Sequence, residues 1–153
     1  MSRSGGCQCG AVRFRVDDEL GEASICHCRM CQKALGGVFG PYVYVNGLTW
    51  TRGERRRFQS SNKVWRGFCG DCGTPLSFEH VSGVISLAIG AFDDPTPIRP
   101  VEQLASPQAI PWVDELSALP RHEADEPKAA AYLASIVSYQ HPDHDTEVWP
   151  PGA

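Results

Sequence analysis

Apolar and polar positions alternate at the start of the chain. Val12, Phe14 and Val16 are separated by Arg13 and Arg15, with Ala11 before them. A period of two predicts a half-buried strand. Val43 and Val45 precede Asn46-Gly47, and Leu48 and Trp50 follow it. Asn-Gly between alternating apolar residues predicts a β-hairpin, because both residues accept the left-handed backbone of a tight turn. Val64-Trp65-Arg66-Gly67-Phe68 and Val84-Ile85-Ser86-Leu87-Ala88-Ile89 predict further strands. Ala91-Phe92-Asp93-Asp94-Pro95 predicts a turn that ends a β-rich body spanning residues 7–94.

The pattern then changes. Pro95, Pro97, Pro100, Pro107, Pro111 and Pro120 predict irregular chain, with short turns at most, wrapped around the body. Residues 126–138 predict a helix, with Asp125 as N-cap and Ala129, Leu133, Ile136 and Val137 on one face. The tail His141-Pro142-Asp143-His144-Asp145 is polar and is expected to be mobile. No internal repeat is visible beyond recurring cysteine clusters.

Those clusters carry the chemistry. The seven cysteines fall into Cys7-Gln8-Cys9-Gly10, Cys26-His27-Cys28-Arg29-Met30-Cys31 and Cys69-Gly70-Asp71-Cys72-Gly73. C-x-C and C-x-x-C spacings let one short loop present two sulfurs to one ion about 2.3 Å away. Gly10 and Gly73 follow the second sulfur of their pairs, where a positive φ turns backbone N–H groups toward a thiolate. A structural zinc takes four protein ligands, and a catalytic one keeps three and leaves a place for water or substrate. Seven sulfurs divide as four plus three. The compact middle group serves one zinc, and the two outer groups close a four-sulfur site that links the chain start to residue 72. Two readings stay open for the middle group: purely structural cysteines with weak or no metal binding, and a redox-labile trio that forms a disulfide.

Composition narrows the classes. The chain has 153 residues, enough for one domain, with 42 % hydrophobic and 21 % charged residues, as in ordinary soluble proteins. A net charge of −4 argues against a general nucleic-acid binder, which needs a clustered positive surface. No apolar run reaches the length of a membrane span, and Met1-Ser2-Arg3-Ser4-Gly5-Gly6 lacks the apolar core of a signal peptide. A cytoplasmic location is therefore expected, where cysteines stay reduced. An odd number of cysteines also cannot pair fully within one chain.

Three stretches in this order resemble the glutathione-dependent formaldehyde-activating enzyme family, or CENP-V/GFA domain. They are Gly6-Cys7-Gln8-Cys9-Gly10-Ala11-Val12-Arg13-Phe14, Cys26-His27-Cys28-Arg29-Met30-Cys31-Gln32-Lys33 and Phe68-Cys69-Gly70-Asp71-Cys72-Gly73-Thr74-Pro75-Leu76. Gly90-Ala91-Phe92-Asp93-Asp94-Pro95, Pro111-Trp112 and Leu119-Pro120 resemble its later landmarks. The resemblance implies a mainly β, Mss4-like, zinc-stabilised fold over residues 5–122, with a short C-terminal helix and tail over 123–153. It implies two zinc ions, one structural on Cys7, Cys9, Cys69 and Cys72, and one catalytic on Cys26, Cys28 and Cys31. The implied activity is that of a carbon–sulfur lyase that joins glutathione, or another small thiol, to formaldehyde or another small aldehyde. Many members carry a histidine in a segment after the Asp-Asp-Pro turn; the corresponding Glu102-Gln103-Leu104-Ala105 has none.

Other residues have a functional and a structural reading. His27 could bind zinc or relay a proton, but neighbours in a tight C-x-C loop point away from the ion. Gln32 and Gly36-Gly37 either line the pocket or lead into the next strand. Arg52, Arg55, Arg56 and Arg57 form the basic run, read as a solvated strand face rather than an anion site. Trp112 is read as packing in the Pro-rich wrap, and Asp93 and Asp94 as turn residues rather than paired acids. His141 and His144 are assigned to a free tail rather than to a metal. The alternatives to an enzyme are a non-catalytic zinc-stabilised binding module and a thiol redox sensor.

Overall fold

Short apolar alternations punctuated by Gly, Pro and Asn permit only short strands, and the molecule is built from them. The computed structural model describes residues 3–121 and 127–150. Its strands are β1 (Arg3–Gly6), β2 (Arg13–Val16), β3 (Ala23–Cys26), β4 (Gly40–Val45), β5 (Leu48–Arg52), β6 (Arg56–Ser61), β7 (Val64–Phe68), β8 (Pro75–His80), β9 (Ile85–Ala88) and β10 (Glu102–Leu104). Helix α1 (Arg29–Leu35) follows β3, and α2 (Pro127–Ala134) lies near the C-terminus. The mainly β fold with a short C-terminal helix is as expected.

The strands form a three-stranded sheet, β1-β2-β5, and a seven-stranded sheet, β10-β3-β4-β9-β8-β7-β6. All pairings are antiparallel except β10 with β3. One core joins the sheets: Phe14 and Val16 from β2, Val43 from β4, Leu76 from β8 and Leu87 from β9. The Phe14 ring meets Trp50 and Phe92 edge-on, at centroid distances of 6.0 and 5.1 Å. Removing a ring packed this way typically costs about 3–5 kcal/mol.

Several expectations are corrected. Asn46-Gly47 does not close a hairpin. β3 and β9 occupy both edges of β4, so β5 crosses to pair with β2, and Gly47 (φ 62°) makes the passage between sheets. Helix α1 was not foreseen, although Arg29–Leu35 contains no β-branched residue and ends on Gly36 in the left-handed conformation, a common helix stop. The C-terminal helix ends at Ala134, before Ile136 and Val137. The Ser135 hydroxyl donates to the Tyr132 carbonyl at 2.6 Å, and the N–H groups of Ser135 and Ile136 bond the carbonyls three residues back, a tightened last turn. Its apolar face is not buried, with Leu133 51 % exposed. The N-cap residue Asp125 lies outside the described residues. The Pro-rich stretch does wrap the body in short turns, but it also supplies β10. Trp112 is half exposed rather than packed beneath that wrap.

The tail is also ordered where mobility was expected. His141 is buried, and its backbone N–H donates to the Gln8 carbonyl at 2.8 Å. The Trp149 Nε1–H donates to the Cys9 carbonyl at 2.6 Å, and its ring stacks edge-on with His141. Asp145 joins Asp93 on the Arg13 guanidinium, at 2.7 and 2.6 Å. This pairing explains why Arg13 is buried despite its polar place in the alternation.

Arg13, Ser4 and Asp93 bind β1, β2 and the Asp-Asp-Pro turn together. Burial raises the Asp93 pKa, but hydrogen bonds from Arg13 and Ser4 together with the Arg13 charge hold it below the usual carboxylate range. A depressed folded pKa contributes stability above the unfolded value of about 3.9, and that contribution is lost as pH falls through the folded pKa. Asp93→Asn should therefore lower unfolding free energy at neutral pH by about 2 kcal/mol. In urea titrations the gap to the parent should narrow as pH drops from about 4 toward 2.

Candidate metal centres and the cavity between them

Two turns of the same design hold the first cysteine group. After β1, Gly10 N–H donates to the Cys7 carbonyl at 3.0 Å, and after β7, Gly73 N–H donates to the Cys69 carbonyl at 3.0 Å. Gly10 and Gly73 have φ of 76° and 77°, as the sequence requires of them. A Cβ on Gly10 would also collide with His141 and Trp149. Backbone N–H groups of Val12 and Asp71 point at the sulfurs of Cys7 and Cys69, at 3.2 and 3.4 Å. The Thr74 hydroxyl lies 3.1 Å from the Cys72 sulfur. Burial raises the Cys72 pKa, yet the Thr74 hydroxyl and the Thr74 and Cys9 backbone N–H groups bring it down to about 6.

The sulfurs of Cys7, Cys9, Cys69 and Cys72 all lie within 4.8 Å of one another. Cys7 to Cys9 is 3.6 Å and Cys9 to Cys69 is 3.8 Å. Four sulfurs placed tetrahedrally about 2.3 Å from a zinc ion would be separated by about 3.8 Å. Disulfide sulfurs are about 2.05 Å apart, and all seven thiols are free. The donor set thus fits a four-coordinate, thiolate-preferring metal ion.

The second group, Cys26, Cys28 and Cys31, also has its sulfurs within 4.8 Å, and among the described residues no fourth Cys, His, Asp or Glu joins it. Cys26 ends β3 opposite Gly40 of β4. Cys28 caps α1, its sulfur accepting from the Cys31 N–H at 3.4 Å. A side chain at Gly40 would press on Cys31 and Tyr42. Cys31 is buried, whereas Cys26 and Cys28 are half-buried. Burial pushes the Cys31 thiol up to about 12, with Arg66 pulling against it.

Arg66 is the residue that sequence reasoning missed. It is only 6 % exposed, and among the described residues no carboxylate pairs with it. Its Nη2 donates to the Cys31 sulfur at 3.4 Å, its Nη1 to the Tyr42 hydroxyl at 3.0 Å and its Nε to Ser60 at 3.2 Å. The Phe78 ring lies 4.7 Å from the guanidinium carbon. A buried cation needs a counter-charge, and the cysteine trio, were it to hold a metal as thiolates, is the group within reach that would supply one. The signal was present: Arg66 stands between Val64 and Phe68 on one face of a strand whose other members are apolar. Arg66 also walls a cavity of about 520 Å³ that runs from Met30 and Ala34 of α1 to Gly73 and Pro75 beside the four-cysteine group.

The remaining candidates are structural. His27 is not part of the cysteine group; it is buried, with Nε2 2.7 Å from the Gln103 Oε1 and Nδ1 without a partner. Gln32 donates to the carbonyls of His27 and Gln108, bonding α1 to the wrap, and Gly36-Gly37 ends the helix away from the cavity. Arg55 pairs with Glu79 at 2.5 Å and covers Trp50, Arg57 stacks near Trp65, and Arg52 donates to Gly10 and Thr146 in the tail. Asp94 accepts from the Thr96 N–H, as a turn residue does. His141 and His144 belong to neither cysteine group. No helix among the described residues is long and apolar enough to cross a membrane.

Known proteins match this arrangement. The profile of the glutathione-dependent formaldehyde-activating enzyme family matches residues 2–107. An uncharacterized lyase of Schizosaccharomyces pombe is 29 % identical over 80 residues, which is 52 % of this chain and 58 % of that protein. A crystal structure of a Rhodobacter sphaeroides protein superposes with a TM-score of 0.51 at 22 % identity, over 65 % of this chain and 98 % of that one, a likeness of fold.

The docked tail makes a testable demand on the first cysteine group. Trp149→Ala removes the hydrogen bond to Cys9 and the stack on His141. The expected loss is about 2 kcal/mol of unfolding free energy, accompanied by faster modification of Cys9 by a thiol reagent, followed by mass spectrometry of peptides.

Proposed function

The chain belongs to the glutathione-dependent formaldehyde-activating enzyme family, and on that premise we propose that it is a zinc-dependent carbon–sulfur lyase that joins or cleaves a thiol–aldehyde adduct. Glutathione and formaldehyde are the pair that the family description names. The observation that carries the proposal is the inequality of the two cysteine groups: one offers four sulfurs, the other three, with Arg66, which bonds Cys31, in the wall of a neighbouring cavity. In this reading Cys7, Cys9, Cys69 and Cys72 hold a structural zinc. Cys26, Cys28 and Cys31 hold a catalytic zinc whose fourth place is left to substrate. The setting is the cytoplasm, where the thiolates persist.

A zinc ion held by the trio would supply a site where a substrate sulfur is kept as thiolate at neutral pH. The chain's own residues do the rest. The Arg66 guanidinium offsets the negative charge that three thiolates would place in a buried setting, and it holds Cys31 by a hydrogen bond. Tyr42 keeps Arg66 in place, and α1 fixes the spacing of Cys28 and Cys31. The addition forms a C–S bond, the carbonyl π electrons pass to oxygen, and the thiol proton ends on that oxygen. The reverse breaks the same bond. No oxidant and no protein nucleophile is required.

Two experiments test this. During titration with a mild chelator, one equivalent of zinc should leave without change in circular dichroism, and the second should leave as the fold is lost. Cys28→Ser should fold, bind one zinc and lose lyase activity, whereas Cys69→Ser should be unfolded or insoluble. Loss of fold with the first equivalent, or folded Cys69→Ser beside unfolded Cys28→Ser, would reverse the assignment.

A further inference from the structure

We infer that the thiol accepted at the Cys26, Cys28 and Cys31 group carries an apolar body, and that the cavity walled by Arg66 receives it. The inference rests on the lyase reading above and names a substrate class within it. Helix α1 carries both halves of the arrangement: Cys31 faces Arg66, while Met30 and Ala34 line the cavity. Tyr42, Phe58, Phe68 and Pro75 complete its apolar surface. Met30 and Phe58 are 51 % and 63 % exposed, yet they come from different elements, α1 and β6, and border one recess. Single exposed apolar side chains are ordinary, but several converging on a concavity mark a binding site.

The polar resources of the cavity are few. Arg66 already bonds Ser60, Tyr42 and Cys31. Ser77 donates to Glu79 at 2.7 Å. Among the described lining residues there is no Asp, Glu or His, and Lys33 is the one further cation. Glutathione would bring two carboxylates, an ammonium group and two amides, most of which would be desolvated without partners, at a cost of about 1–3 kcal/mol each. A compact aromatic or branched thiol buries only carbon there. The cavity volume, about 520 Å³, suits a small organic molecule.

The test uses the full chain with cobalt in place of zinc, and compares benzyl mercaptan, 2-mercaptoethanol and glutathione. The sulfur-to-metal charge-transfer band gives each affinity. In the diamagnetic zinc form, the ε-methyl resonance of Met30, one of two methionines in the chain, reports whether the ring enters the cavity. Benzyl mercaptan should bind about tenfold or more tightly than 2-mercaptoethanol and shift the Met30 methyl upfield. Ala34→Trp, which fills the cavity, and Phe58→Ala, at a position 63 % exposed, should each bring the ratio toward one. Equal affinities, tightest binding by glutathione, or an unmoved Met30 methyl would overturn the inference and leave the lyase reading standing. Failure of every thiol to perturb the band would overturn both.

Discussion

Everything in this molecule depends on the convergence of two loops, with Cys9 and Cys69 sixty residues apart, on one set of four sulfurs. Neither sheet supplies that junction by hydrogen bonding, since β1 and β7 lie in different sheets. Each loop leaves its strand through the same backbone turn, ends on a glycine near φ 77°, and aims an N–H group at its first sulfur. The four thiols crowd within 4.8 Å of one another, and the Cys9 thiol is pushed up to about 12. Burial dominates that shift, with the neighbouring thiols adding to it. A metal ion turns the same crowding into stabilisation, because ligand binding is then folding free energy.

The second group is held by different means, and the difference bears on function. Its three sulfurs come from one strand end and the first turn of one helix, so its assembly is local. From a distance, Arg66 reaches across from β7 to the Cys31 sulfur, while Gly40 of β4 and Leu104 of β10 flank Cys26. The two groups nevertheless share a boundary: Gly73 and Pro75, just past the first group, form part of the cavity wall that begins at Met30 beside the second. Holding the four-sulfur junction in place thus also positions one side of the space next to the trio. The tail contributes to the same rigidity from outside, through His141, Asp145 and Trp149.

Much of this was legible in the sequence where the signal was local. The division of cysteines, the two glycine turns, and the strands at Val64–Phe68 and Ile85–Ala88 follow from spacing and alternation alone. What escaped was set by distant partners. Asn46-Gly47 was a sound turn signal, but whether its flanking strands pair depends on what already occupies the edges of β4. Arg13 and Arg66 sit at positions where polarity alone argues for solvent or for exclusion from a core; both are buried with partners waiting there, a carboxylate pair for Arg13 and the Cys31 sulfur, Tyr42 and Ser60 for Arg66. His141 looked like part of a polar tail because its partners, Gln8, Gly10 and Trp149, lie at the other end of the chain or beyond it.

The lining of the cavity suits the sulfur addition proposed above. Activating water by general-base catalysis calls for a group poised near neutrality, commonly a histidine or a carboxylate. Among the described lining residues there is none of these. Tyr42, whose hydroxyl accepts from Arg66 Nη1 at 3.0 Å, has its pKa raised to about 12 by burial, with Arg66 opposing the shift. His27, although it lies between two of the cysteines in sequence, is tied to Gln103 on β10 and does not line the cavity. Joining a thiol to an aldehyde makes a smaller demand. The sulfur must be a thiolate, the carbonyl must approach it out of bulk water, and one proton must reach oxygen. In the proposed reading, a metal held by the trio would meet the first condition, the apolar recess the second and a solvent-supplied proton the third.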